Sequence, residues 1–163
     1  MPRGSIIAFA VLSLTGASTA ALAQSASPSQ PAPRHAKGPF EVKMVPQEQD
    51  KAEGSTLGRL SLDKVFHGDL EGVGKGQMLT IISDTPGSAV YVAVERVTGS
   101  LNGKAGSFAL AHQGVMRGES RQLTVEIAPD SGSGALKGIA GRLTIEATGG
   151  QHLYDLEYTL PNP

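Results

Sequence analysis

Residues 91–114, YVAVERVTGSLNGKAGSFALAHQG, decide the fold class of this chain. Apolar and polar residues alternate on both sides of Asn102-Gly103, a dipeptide that accepts the positive φ angles of a two-residue hairpin turn. With that turn as the loop, Val97 faces Phe108, Glu95 faces Leu110 and Ala93 faces His112. Glu95 and His112 then become diagonal neighbours on one largely apolar face, within reach of each other or of a shared water. The opposite face carries Val90, Val92, Val94 and Arg96. Both faces are more apolar than a free surface requires, so cover of one of them by another subunit or by terminal chain is expected.

The same arithmetic applies at Gly149-Gly150. Ala147 faces His152, Ile145 faces Tyr154, Leu143 faces Leu156 and Gly141 faces Tyr158, while the reverse face pairs Arg142 with Glu157 and Thr144 with Asp155. Further alternating segments span 40–45, 58–67, 77–83 and 121–128, each bounded by glycine- or proline-rich turns. The stretch Gly134–Ile139, GALKGI, is the one place where the chain could turn helically, and it is too short to build a layer. Many of the 21 glycines fall between strands or inside them, as corners and bulges of a tightly curved sheet require. Eight short strands joined by hairpins form either a sandwich or a barrel. Closure removes both unpaired edges, so an all-β, eight-stranded antiparallel β-barrel is the expected architecture.

Residues 1–23 read as a signal peptide: one Arg, the apolar run IIAFAVLSL, and the small-residue end Ala21-Leu22-Ala23. The run is short for a membrane span, so export to the periplasm or beyond, without a retained anchor, is expected. Residues 24–39 are rich in Pro, Ser and Ala and read as a flexible linker carrying a solvated His35. Residues 40–163 make the barrel domain.

The chain has no Cys, which excludes disulfides and thiolate chemistry. Lys and Arg number 14 against 15 Asp and Glu, with no basic cluster interleaved with aromatics, so a nucleic acid partner is not expected. No HxH or HExxH pattern suggests a metal, and no cofactor motif occurs. Ser107 lacks the GxSxG context of a hydrolase nucleophile, and Gly132-Ser133-Gly134 lacks the Lys that would complete a phosphate loop. His67 and His152 read as residues at strand ends.

Glu95 is the outstanding residue. Among Val97, Phe108 and Leu110, desolvation would raise its pKa unless His112 or the neighbours of Arg96 compensate. Glu95 and His112 are therefore the candidate catalytic pair, and Tyr91, Glu95, Phe108, Leu110 and His112 the candidate ligand contacts. A buried Glu–His contact that fixes the strand register is the structural alternative.

The runs HGDLEGVGKGQML (67–79), 91–114, VEIAPDSGSGALKGIAGRLTIEA (125–147) and HLYDLEYTL (152–160) together resemble the DUF3224 family of bacterial proteins. That family is similar to the allene oxide cyclase barrel group, and GSGxxxGIxG from Gly132 to Gly141 resembles a glycine-rich turn of allene oxide cyclases and dirigent proteins. The resemblance implies an eight-stranded antiparallel barrel of the allene oxide cyclase-like type, often found as a homo-oligomer. It implies no reaction and transfers no catalytic residue, because one fold supports unrelated functions. Three functions remain open at this point. A barrel binding a small, mainly apolar ligand would need a cavity of about 300 Å³ or more. A cyclase or isomerase would use the same pocket, and a structural or interaction protein would have a filled core.

Overall fold

A computed structural model of the chain describes residues 32–161. Among the described residues nine strands follow one another: β1 Arg34–Ala52, β2 Ser55–Phe66, β3 Leu70–Ser83, β4 Ala89–Leu101, β5 Lys104–Arg117, β6 Ser120–Ile127, β7 Ser133–Gly134, β8 Ala140–Thr148 and β9 Gln151–Thr159. All pairings are antiparallel. The order β4-β3-β2-β1-β9-β8-β6-β5 returns to its start through β4–β5, so eight strands close into a ring and the two-residue β7 hangs on β5. The closure is uneven: β5 and β6 share the register from Leu110↔Ile127 to Arg117↔Ser120, whereas β6 meets β8 only at Glu126↔Arg142.

Both hairpins have the register that their turns dictate. Val97 lies opposite Phe108, Glu95 opposite Leu110 and Ala93 opposite His112. Ala147 lies opposite His152, and Gly141 opposite Tyr158. Asn102 and Gly103 have φ of 47° and 79°, the left-handed pair that a tight hairpin of this twist needs. The strands run longer than their apolar centres suggest, because ladder hydrogen bonds continue into polar and glycine-rich flanks.

One end of the ring is packed solid. Phe66, Leu70, Val97, Leu101, Phe108 and Tyr158 are almost fully buried there. The 134–139 stretch forms successive turns rather than a helix, with Leu136 N–H donating to the Ser133 carbonyl and Ile139 N–H to that of Leu136. Those turns fold Leu136 and Ile139 inward as a plug. Two phenols lock the same end: Tyr154 donates to the His67 carbonyl at 3.0 Å and accepts from Leu70 N–H at 2.9 Å, and Tyr158 accepts from Asn102 Nδ2 at 3.1 Å. Arg34, Leu160 and Pro161 lie together at this base, so the chain enters and leaves the ring on one side.

The expected boundary at Phe40 needs correction. Residues 34–39, read as linker, are the first third of β1 and pair with β9 from Arg34↔Tyr158 to Pro39↔Leu153. Their composition offers little to bury, but a ladder needs only backbone groups and side chains small enough to let strands approach. Ala36 is completely buried, and a Cβ on Gly38 would come within 2.9 Å of the Tyr154 hydroxyl. His35 is accordingly fixed on the outer face, its Nδ1 2.7 Å from Asp155 Oδ1. The expected signal peptide and the first part of the linker lie outside the described residues.

A chain shortened to begin at Phe40 would leave β9 as an open edge. Its melting temperature should fall by at least about 10 °C relative to one beginning at Arg34, as circular dichroism would measure.

Candidate functional site

The other end of the ring is hollow. A cavity of about 980 Å³ is lined by inward-facing residues from all eight ring strands, among them Val42, Leu62, Met78, Tyr91, Met116 and Ile145. Its rim is the 83–90 segment together with the β5–β6 turn. Met44, Ile82 and Leu123 point inward yet are 52%, 51% and 42% exposed, because the space in front of them is unfilled.

Three ionisable groups close the bottom of this space. Lys64 Nζ on β2 lies 2.6 Å from Glu95 Oε2 on β4, and His112 Nε2 on β5 lies 3.2 Å from the same oxygen. All three are buried. Lys64 also stands 5.2 Å from the Phe40 ring centre and 5.7 Å from that of Phe66, where the aromatic faces favour a cation. The His112–Glu95 approach is close but poorly aligned. His112 Nε2 and Glu95 Oε1 have no well-formed hydrogen bond among the described residues.

Lys64 and Glu95 belong to strands that are not neighbours. β3 runs between them, and what it shows to the interior is Gly74, opposite Lys64, and Gly76, opposite both Leu62 and Glu95. With no side chains on β3 at these points, the two long side chains meet over its backbone. Gly74 is required in another sense: a Cβ there would overlap Glu95 Oε1 and stand 2.9 Å from its Cδ. The GVGKG run at 72–76 is thus a trough cut for this ion pair.

Burial alone would push the Glu95 carboxyl up. His112 and Lys64 outweigh it and hold the group below the usual glutamate range. Glu95 is therefore a fixed anion that orients Lys64 and His112, and its side chain is sealed from the cavity. Burial pushes the Tyr91 phenol up, which keeps it a neutral hydrogen-bond donor on the cavity wall.

Among the expected site residues, Tyr91 and His112 line the cavity and Glu95 lies directly behind it. Phe108 and Leu110 point inward too, but belong to the solid half. Sequence reasoning missed Lys64, although its placement in register with Leu60, Leu62 and Phe66 marks a cation on an apolar face. His152, read as a strand-end residue, lines the cavity and stacks on Phe40 with ring centres 5.1 Å apart. Ser107 Oγ is 2.7 Å from Ser133 Oγ, a contact that docks β7. His67 is exposed beside Glu71. Among the described residues no three of His, Asp and Glu are placed to hold a metal ion.

This architecture matches a family. The sequence profile described as "Protein of unknown function (DUF3224)" covers residues 36–158. The chain belongs to the DUF3224 family. The matched span starts within β1, upstream of Phe40, in keeping with the β1–β9 pairing. A solved DUF3224 structure, a protein of unknown function from Shewanella oneidensis MR-1, is similar at 40% identity and a TM-score of 0.74. The match covers 80% of this chain and all of that one. Comparison with curated proteins gives no match.

Glu95→Gln should cost about 3–5 kcal/mol in urea unfolding, because Lys64 is left buried without its counter-ion. The double change Lys64→Met with Glu95→Gln should cost less than the single one. The pH dependence has a defined sign. A carboxyl held below its unfolded value contributes stability above the ordinary glutamate range and loses it as pH falls through the folded value. The double variant should lack this component of the acid loss.

Proposed function

We propose that the ring is an eight-stranded β-barrel of the allene oxide cyclase-like type, exported from the cell, that binds a small, mainly apolar molecule in its open half. The observation that carries this reading is the cavity of about 980 Å³. It reaches the upper part of the roughly 300–1,000 Å³ range of small-molecule sites. A protein whose interior served only stability would fill that space, as its own closed end does. Three methionines, Met44, Met78 and Met116, line the wall, and their unbranched, polarizable side chains adapt to the outline of a guest. Tyr91 supplies a neutral polar contact. Nothing in the geometry favours a cyclase or isomerase over simple binding, since Glu95 has no access to a substrate in the cavity.

The fluorescence of N-phenyl-1-naphthylamine, an uncharged apolar probe, should rise on mixing with the protein. Leu123→Trp, which fills the wall, should weaken binding at least about tenfold. Leu79→Trp on the outer face should leave it unchanged. Equal affinity in all three chains would place the probe elsewhere and sink the proposal.

A second reading concerns the outer face and is compatible with the first. Leu57, Leu79, Ile81, Val92 and Val94 are about half exposed or more, and the ladder sets Leu57 beside Ile81 and Leu79 beside Val92. A continuous apolar surface of this kind favours a homo-oligomer. Light scattering should give a mass above that of one chain, and Val94→Lys should return it to the monomer. A wild-type monomer at all concentrations would rule the reading out.

A further inference from the structure

We infer that the cavity selects an apolar molecule with one acidic group, which lands on Lys64 and His112 and brings one proton onto His112 as it binds. The inference rests on reading the cavity as a ligand site and adds the chemical class of its occupant.

The composition of the wall carries the argument. Among the described residues the cavity lining holds Lys64, His112, His152 and Arg121 and no carboxylate, although acidic residues outnumber Lys and Arg in the chain as a whole. The one nearby acid, Glu95, is turned away behind the floor, with its side chain fully buried. An apolar chamber whose charged and titratable wall groups are basic, apart from a neutral phenol, is suited to a guest with a single negative end.

Charge balance then fixes the proton. Lys64 and Glu95 cancel, so a neutral His112 leaves the floor without net charge, and an anion brought there from water loses its hydration for little return. Protonated His112 makes the floor singly positive and gives the ring a donor on each nitrogen. Lys64 has three ammonium donors, and Glu95 Oε2 takes one. A carboxylate can therefore be held between two cations whose own counter-ion is already fixed behind them.

The groups that face His112 can be enumerated by strand. β4 presents Glu95 and the neutral Tyr91, β2 presents Lys64, and β6 presents the apolar Val125 opposite His112, with Arg121 farther out at the rim. β9 presents His152, packed on Phe40. Among the described residues His152 is the only other imidazole on the wall, and it makes the necessary control.

The test compares naphthalene-2-carboxylate with naphthalene-2-methanol, matched in shape, by isothermal titration calorimetry from about pH 5.5 to 8, the interval in which histidine side chains titrate. The carboxylate should bind at least about tenfold tighter at the acid end, with affinity falling toward about tenfold per pH unit as pH rises, the slope for one coupled proton. Binding of the alcohol should be flat with pH. His112→Gln should keep the alcohol affinity and lose the carboxylate slope, and His152→Gln should keep both. Carboxylate binding that is no tighter than that of the alcohol, or has no slope, overturns the inference while leaving the cavity as a ligand site. A slope that survives in folded His112→Gln also overturns it. Binding of neither compound, together with no response to the uncharged amine probe, overturns the cavity reading itself. Should His112→Gln fail to fold, the wild-type contrast between the two compounds still decides.

Discussion

The Lys64–Glu95 ion pair is the contact on which the interior is arranged. It spans two strand positions, and it forms because β3 presents bare backbone between its partners. Two charges removed from water are stable only with good geometry and further support. Here the 2.6 Å contact, the flanking rings of Phe40 and Phe66 and the adjacent imidazole provide it. The pair also marks a boundary: aromatic and aliphatic packing fills the ring on one side of it, and the cavity opens on the other.

That division gives the two halves different work. The closed half holds most of the fully buried side chains and the tyrosine hydrogen bonds, and it carries the stability that a cysteine-free chain must obtain from packing. The open half keeps Met44, Ile82 and Leu123 exposed on its inner wall, an arrangement that costs hydrophobic burial and is tolerated because the other half is solid. Glu95, held as an anion behind the floor, fixes the positions of Lys64 and His112 at the bottom of the cavity.

The sequence makes some of this legible and hides the rest for physical reasons. A two-residue turn fixes every pairing along its hairpin, so the meeting of Glu95 and His112 follows from Asn102-Gly103 alone. Lys64 does not follow, because its partner is two strands away and no turn links their registers directly. The inward direction of Phe108 and Leu110 is legible from alternation, but their position along the ring axis depends on the stagger of all eight strands. Alternation therefore cannot tell the packed half from the hollow one. Residues 34–39 look like linker by composition, since small side chains and Pro carry no apolar signal, yet the free edge of β9 recruits their backbone. Desolvation would raise the Glu95 pKa, and His112, which the hairpin places, lowers it together with Lys64, which no hairpin places.

The placement of the chain ends has a consequence for how the molecule meets its surroundings. Arg34 and Pro161 leave from the plugged base, opposite the rim formed by 83–90 and the β5–β6 turn. Both ends of the described chain therefore lie at the closed pole, and the hollow pole is left clear of them.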